Sequence, residues 1–233
     1  TSRKFINRLK GIETESSGFE PVNDNMRASN GGAMKIGPVA CFGKGDMEKT
    51  LEIAKVICFP THGNRISMSA ACAVAEAVCG ALNGKDLFGI FEDAMFGAKQ
   101  GEAIGAAGNT VAGPSFPKRL QFAIALGMNA NDLSEAMDTL RSYFDCSGMA
   151  ADSVPVSFGL MAAAKGDVMA AVQAAANIGN DTDTMATIVG AVLGAKNGVQ
   201  AFPEELVRKL DEANGYDLCA LAETMEATNV VIG

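Results

Sequence analysis

The chain has 233 residues, which is enough for one sizeable hydrophobic core, and we expect a single domain over 1–233. Its formal net charge is -8, with 19 Lys and Arg against 27 Asp and Glu, and no basic stripe interleaves with aromatic residues, so a nucleic-acid groove is excluded. No secretory segment occurs, and Ser and Glu interrupt the most apolar stretch, Ile66 to Leu82, so we expect no membrane span.

Helix signals alternate with Gly-rich turns along the chain. Hydrophobic residues make up 48% of it, many of them Ala, and runs of β-branched residues are short and rare, which favours closely packed helices over sheets. The sequence therefore predicts an all-α fold. The expected helices lie near 1–11, 46–58, 67–82, 86–99, 117–126, 132–144, 155–165, 168–178, 184–196, 203–213 and 217–228.

Several of these segments begin with residues that favour helix starts. A side-chain oxygen at the N-cap accepts a hydrogen bond from a free backbone N–H, and Pro is tolerated in the first turn because its missing N–H needs no partner there. The candidate N-caps are Asp46, Ser67, Asp86, Asn131 and Asp217, and the candidate first-turn prolines are Pro117 and Pro203.

The segment from Asn30 to Pro38 reads NGGAMKIGP and predicts a loop with two adjacent glycines. Because Gly31 and Gly32 lack side chains, a ligand can approach the main chain there, and their N–H groups can bind phosphate or ribose oxygens. Asn30 adds a side-chain donor and acceptor. Taken alone, N-G-G is equally a commonplace turn that leads into a buried Met34-Lys35-Ile36 segment.

His62 is the single histidine of the chain and follows Pro60 and Thr61. No serine or cysteine nucleophile lies in a recognisable elbow motif, so the sequence gives no support to a charge relay. Two interpretations stay open for His62. It either contacts a ligand through a hydrogen bond or caps the chain before Gly63.

The glycine-rich segment 97–114 has neither the P-loop spacing nor the dinucleotide-binding spacing. We expect an ordinary flexible connection there, with a substrate-side lid as the minority alternative. Asp145 and Asp152 flank another Gly-containing turn, and we expect them to be solvated loop carboxylates, although either could touch a site.

The cysteines form no C-x-x-C pair, and the chain has one histidine to act as a further zinc ligand, so a zinc site is not expected. We interpret them as buried thiols in a protein of the reducing cytoplasm. They are Cys41, Cys58, Cys72, Cys79, Cys146 and Cys219.

The stretch 179–194, GNDTDTMATIVGAVLG, combines an acidic turn with a helix of small residues. Asp181 and Asp183 lie two residues apart, so both carboxylates can converge on one cation, and the hydroxyls of Thr182 and Thr184 offer further oxygens. Oxygen ligands suit Mg²⁺, Mn²⁺ or Ca²⁺. Asp and Thr are also favoured helix N-caps that need no metal, so capping alone is the alternative.

Three blocks of the sequence resemble the ADP-ribosylglycohydrolase family, including its ADP-ribosyl-dinitrogen reductase hydrolase-like members. The turn and helix at 179–194 resemble its G-G-D-T-D-T turn and the helix that follows. The NGGAMKIGPV segment resembles its N-G-x-x-M-R-x-x-P substrate loop, and Thr61-His62 resembles its T-H element. The blocks occur in the family's order.

The resemblance implies a compact orthogonal multi-helix bundle and a metal-dependent hydrolase. The bond cleaved would be an N- or O-glycosidic bond to ADP-ribose or a related nucleoside-like group, on an ADP-ribosylated protein or a small compound. Two Mg²⁺ or Mn²⁺ ions are implied in the complete domain. The implied metal ligands are Asp181, Asp183 and Thr184, and the implied substrate-binding residues are Asn30, Gly31, Gly32, Met34 and His62.

Family members normally begin with a segment that carries a T-D-D-T-type motif, and this sequence has none. We therefore expect the chain to correspond to the C-terminal two thirds of the domain, with the N-terminal segment as a candidate separate chain. Because the family's best candidates for the catalytic base lie in that segment, no catalytic residue is assigned and the chain alone is expected to hydrolyse nothing. The alternative is a non-catalytic ADP-ribose binder or a structural, crystallin-like member of the fold.

Overall fold

The structure, a computed structural model, describes residues 6, 9–11 and 28–232, with side chains described to residue 228. Within these ranges the secondary structure is helical and contains no strand, which confirms the predicted all-α class. The helices are α1 (Gly31–Lys35), α2 (Val39–Gly43), α3 (Met47–His62), α4 (Arg65–Leu82), α5 (Leu87–Gly105), α6 (Phe116–Asn129), α7 (Leu133–Tyr143), α8 (Ala150–Ala163), α9 (Val168–Asn177), α10 (Thr182–Asn197), α11 (Glu204–Asn214) and α12 (Leu218–Ile232), with a 3-10 turn at Val199–Ala201.

The predicted helix at 1–11 lies largely outside the described residues. Each helix predicted after it occurs, with boundaries that differ by a few residues. The largest differences are an earlier start of α8 and a later end of α5. The predicted loop at 30–38 instead contains α1 and leads directly into α2.

Helix α4 forms the centre of the core. Every residue from Ile66 to Ala81 is buried, including the polar side chains of Ser67, Ser69 and Glu76. By length and composition this helix would also qualify as a membrane span, but 89% of it lies buried inside the protein. Its apolar composition is what a helix surrounded by other helices requires.

Helix α5 packs against α4 almost backbone to backbone, through three glycines spaced four residues apart. A Cβ atom added to Gly97, Gly101 or Gly105 would overlap a backbone carbonyl group of α4 or of the residue directly before it. The carbonyls belong to Cys72, Met68 and Asn64, respectively. The prediction of a flexible connection from residue 97 was therefore wrong up to residue 105, because these glycines serve close helix packing instead of loop flexibility.

Most predicted helix caps are confirmed. The carboxylates of Asp46, Asp86 and Asp217 each accept a hydrogen bond from a backbone N–H three residues later. Pro117 lies in the first turn of α6, whereas Pro203 lies at the N-cap of α11.

Two predicted caps were wrong because a neighbouring residue does the capping. Helix α4 begins after Asn64, whose Oδ1 accepts hydrogen bonds from the N–H groups of Ile66 and Ser67. Helix α7 begins after Asp132, whose Oδ1 accepts a hydrogen bond from the Glu135 N–H.

The helix was predicted to begin at Pro155, five residues later than α8 begins in the structure. In the structure Pro155 lies inside the helix. The carbonyl that would have accepted its missing N–H is that of Ala151, and Arg119 Nε donates to this oxygen at 2.6 Å. Because Arg119 supplies this hydrogen bond, the helix extends back to Ala150 and includes Ser153.

Four of the cysteines, Cys58, Cys72, Cys79 and Cys146, are buried as predicted. Cys41 is half-buried, and Cys219 is exposed, so the prediction was wrong for Cys219. None of the six is part of a disulfide in the described chain.

We expect Gly101→Ala to destabilise the fold by about 1–3 kcal/mol, because the added methyl group would displace α5 from the Met68 carbonyl. The matched control is Gly190→Ala in α10, where an added Cβ meets nothing within 4 Å. The control should be neutral or stabilising by up to about 1 kcal/mol, since Ala favours helix. Urea unfolding measures both, and equal stability of the two variants would contradict the close packing.

Candidate functional site

Residues just before α1 pair with residues just before α8. The backbone N–H of Asn30 donates to the Gly148 carbonyl at 3.0 Å, next to an isolated antiparallel bridge between Ser29 and Met149. Ser67 Oγ, in the first turn of α4, donates to the Ser29 carbonyl at 3.0 Å. The first turn of the central helix thus supports the chain at the start of α1.

The acidic turn before α10 is held in a left-handed conformation. Gly179 and Asn180 have φ values of 104° and 60°, so Asn180 adopts the backbone angles that Gly or Asn favours. Asn180 Nδ2 donates to the Asp145 carbonyl, and the N–H of Asp181 donates to the Cys146 carbonyl, both at 2.9 Å. These bonds aim the turn at the segment that precedes α8.

Asn30 joins this turn to α8. Its side chain is 6% exposed, and its Nδ2 donates to Ser153 Oγ at 2.7 Å and to Asp181 Oδ2. An amide nitrogen carries two hydrogens, so it can serve both acceptors. Ser153 Oγ in turn donates to the Met149 carbonyl at 3.3 Å. One buried side chain therefore fixes the position of the Asp181 carboxylate.

The other oxygen of Asp181 belongs to a second contact. Thr184 Oγ1 lies 3.1 Å from Asp181 Oδ1 and 3.4 Å from Met34 Sδ. The structure thus brings together four of the predicted residues, Asn30, Met34, Asp181 and Thr184. Asp181 is at the N-cap position of α10, but its side chain accepts no hydrogen bond from the helix N–H groups. Capping alone does not account for this carboxylate.

Asp183, the third predicted metal ligand, is exposed in the first turn of α10. The structure does not include it in the hydrogen-bonded group around Asp181. The described residues also contain no group of three or more His, Cys, Asp or Glu able to hold a metal ion.

The oxygen atoms that do converge fit a hard cation. Around one Mg²⁺ ion, ligand oxygens at about 2.1 Å lie roughly 3 Å from their neighbours. The separation of 3.1 Å between Asp181 Oδ1 and Thr184 Oγ1 matches adjacent positions of such a ligand set. Asp181 and Thr184 are therefore described residues whose oxygens could hold part of the ligand set of a divalent cation.

His62 packs directly on the two glycines of α1. Its Nε2 would lie 3.0 Å from a Cβ atom on Gly31, and its Cγ would lie 3.5 Å from one on Gly32. The predicted reason for these glycines was ligand access to the backbone. In the structure they first make room for the His62 ring, which is 4% exposed.

The His62 ring is neutral at neutral pH. Burial, with a smaller contribution from the positive charge of Lys35, lowers the pKa of His62 from 6.5 to about 4. Its Nδ1 lies 2.7 Å from Thr61 Oγ1, and Lys35 Nζ lies 3.5 Å from the same hydroxyl. A neutral ring can present one nitrogen as a donor and the other as an acceptor.

Asp152 does not fit the expectation of a solvated loop carboxylate. Its Oδ1 lies 2.8 Å from Arg119 Nη2, its Oδ2 accepts from Ser147 Oγ at 3.0 Å, and the Arg119 guanidinium covers the Phe144 ring at 4.4 Å. Asp145 is exposed, as predicted.

Sequence reasoning missed Ser153. Only its contact with Asn30, 123 positions away in the chain, identifies it.

A family model described as ADP-ribosylglycohydrolase matches residues 1–231. The chain belongs to the ADP-ribosylglycohydrolase family. It is also similar to the "Uncharacterized protein YegU" of Escherichia coli (strain K12), at 26% identity over 195 residues. That match covers 83% of this chain and 58% of the relative. The chain thus spans little more than half the length of this relative. The helical structure agrees with the all-α fold expected for the family.

We expect the single histidine of this family member to titrate near pH 4. Because the folded state resists protonation of the ring, lowering the pH from 6.5 towards 4 reduces the free energy of unfolding by about 1.4 kcal/mol per pH unit. Above pH 6.5 the stabilisation that comes from the neutral ring is fully present. Proton NMR of the His62 ring signals measures the midpoint directly. A midpoint near 6.5 in the folded protein would show that the ring is solvated and not packed on α1.

Proposed function

We propose that this chain carries the substrate-binding part of a metal-dependent hydrolase that cleaves N- or O-glycosidic bonds to ADP-ribose or a related nucleoside-like group. The substrate would be an ADP-ribosylated protein or a small ADP-ribosyl compound in the cytoplasm. The observation that carries the proposal is the Asn30 side chain, which fixes Asp181 beside Thr184 and Met34.

Each residue of the group has a distinct task in this proposal. Asp181 and Thr184 would hold a Mg²⁺ or Mn²⁺ ion, with exposed Asp183 as a further oxygen ligand. When bound, such an ion supplies positive charge that orients sugar hydroxyl groups and offsets the charge change as the glycosidic bond breaks. Asn30 keeps the Asp181 carboxylate in one orientation, so no reorganisation is needed when the ligand arrives.

His62 and α1 form the other wall of the proposed site. The neutral His62 ring would donate to a phosphate or ribose oxygen, or accept from a ribose hydroxyl, and it stays uncharged through the neutral range. Lys35 carries a positive charge at the exposed side of the ring and attracts a phosphate-bearing ligand. Met34, 41% exposed, offers an apolar surface to a sugar or base.

The general base is not assigned to a described residue. Both oxygens of Asp181 already have contacts, and the low pKa of His62 makes it a weak base. We propose that a second acidic segment, of the T-D-D-T type, completes the metal site and supplies the base.

We expect Asp181→Asn to lower the Mg²⁺-dependent affinity for ADP-ribose at least about tenfold, which corresponds to about 1.4 kcal/mol. The matched control is Asp167→Asn, which changes an acidic N-cap of α9 that bonds only the Ala170 N–H in the described contacts. Isothermal titration of ADP-ribose with and without Mg²⁺ measures both. Equal affinities of the two variants would rule out Asp181 as a ligand-site residue.

Hydrolysis of ADP-ribosyl-arginine and ADP-ribosyl-serine peptides distinguishes the two functions. The hydrolase proposal expects no turnover by the 233 residues alone and turnover, abolished by Asp181→Asn, when a T-D-D-T segment is supplied. Binding without turnover in that complete arrangement would support the non-catalytic ADP-ribose binder. Robust turnover by the 233 residues alone would contradict the two-segment site.

A further inference from the structure

An aromatic groove runs between α5 and α6 on the surface of the protein. Its walls are formed by Phe88, Met95 and Phe96 of α5 and by Ile124 and Met128 of α6. Three of these side chains are well exposed, with 61% of Phe88, 40% of Phe96 and 59% of Met128 accessible to solvent. Since a contiguous apolar surface is unfavourable in water, it is typical of a site that another molecule covers.

The aromatic groove is about as long as a short helix. It has two lobes, both of which include Phe91 and Met128. One lobe extends to Leu87 and Lys165, and the other extends to Lys99. Because Leu87 and Lys99 lie twelve positions apart on α5, the groove is roughly 18 Å long, which fits a helix of about three turns. Amphipathic helices are common occupants of apolar grooves.

The charged side chains of the aromatic groove favour an acidic occupant. Lys165 lies at one end and Lys99 at the other, with Glu92 between them. Neither lysine forms an ion pair with another described residue. The groove is therefore net positive, although the formal net charge of the whole chain is -8. A helix with an apolar side and acidic ends matches it in hydrophobicity and in charge.

Helix α11 presents an apolar side to solvent. Leu206 and Leu210 lie one turn apart on this helix and are 37% and 45% exposed. None of the residues of α11 is buried. A helix of 11 residues is roughly 16 Å long, which is close to the length of the aromatic groove. This helix therefore has the length and the apolar side that the groove requires.

The charges of α11 complement those of the aromatic groove. Its charged residues are acidic at both ends and basic in the middle: Glu204, Glu205, Arg208, Lys209, Asp211 and Glu212. Four acidic and two basic residues leave this helix with a net charge of -2. The two basic side chains pair with Glu212 and Glu205 of the helix itself, at 2.5 and 2.7 Å. Because both ends are acidic, each end can face a lysine of the groove.

We propose that α11 of a second copy of this chain docks in the aromatic groove between α5 and α6. Leu206 and Leu210 contact the aromatic side chains in this arrangement. The acidic ends of the helix lie beside Lys99 and Lys165. The contact joins two different surfaces, so copies associate head to tail, into a closed ring or an open chain. It does not depend on the hydrolase function proposed above.

The apolar side chains supply most of the expected affinity. Ion pairs between exposed side chains contribute little and are screened by salt, so the two lysines mainly select an acidic helix. A single helix buries a small interface, and we expect a dissociation constant on the order of 10–100 μM. At concentrations well below this value the chain is a monomer with both surfaces exposed.

Two variants and their mixture test the head-to-tail contact. Phe88→Asp changes the aromatic groove and Leu210→Asp changes the helix, and we expect both variants to fold because both side chains are exposed. Analytical ultracentrifugation from about 5 to 500 μM measures association. The unaltered chain should associate, and each variant should bind itself at least about tenfold more weakly. An equimolar mixture should form a dimer, because one variant keeps the helix and the other keeps the groove.

The control is Val56→Asp on α3, which replaces a side chain that is 74% exposed and belongs to neither surface. It should associate like the unaltered chain. A monomer at every concentration up to about 500 μM would overturn the proposal. Undiminished association of either variant would also overturn it, since the contact would then need only one of the two surfaces. So would a mixture that stays monomeric while both variants keep the circular dichroism spectrum of the unaltered chain.

Cross-linking tests the unaltered chain and does not depend on a variant that folds. A carbodiimide joins a lysine amine to a carboxylate in contact with it, so Lys99 or Lys165 should become linked to an acidic residue of α11. Mixing ¹⁵N-labelled and unlabelled protein shows by mass spectrometry whether a link joins two copies. Associated protein in which no link joins α11 to either lysine would overturn the proposal.

Discussion

The close packing of α5 on α4 depends on the absence of side chains at Gly97, Gly101 and Gly105. With the backbones in contact, α4 is enclosed by other helices along almost its whole length, and each of its polar side chains needs a partner inside the protein. Ser67 finds one in the Ser29 carbonyl. The packing of α5 on α4 thus also positions Ser67, which holds Ser29, the residue directly before Asn30.

Asn30 connects this segment to the candidate site through its side-chain hydrogen bonds. It bridges α8 and the acidic turn before α10, which is 151 residues further along the chain. The Asp181 carboxylate is therefore oriented by a buried amide and a threonine hydroxyl, and it does not cap its own helix. Buried polar networks are costly when incomplete, so this arrangement rigidifies the site only while every member keeps its partner.

Much of this organisation could be predicted from the sequence. The alternation of helical segments with Gly-rich turns predicted the all-α class, because local backbone chemistry is visible in local sequence. Asn30 and Asp181 were singled out by the resemblance of short motifs to those of a family, since each motif alone also fits an ordinary turn or a helix cap. Contacts between distant segments are not visible in this way. Arg119 allows α8 to continue through Pro155 by bonding a carbonyl 32 residues away, and no pattern around Pro155 indicates it. The glycines of α5 indicated flexibility because the helix against which they pack lies elsewhere in the sequence.

The most direct test of this account is anomalous diffraction from crystals of the protein grown with Mn²⁺ and ADP-ribose. The account predicts an anomalous peak in contact with Asp181 Oδ1 and Thr184 Oγ1, with Asn30 still bonded to the other Asp181 oxygen. Bound ADP-ribose with Mn²⁺ located away from Asp181 would contradict it, because the carboxylate that Asn30 orients would then have no part in ligand binding.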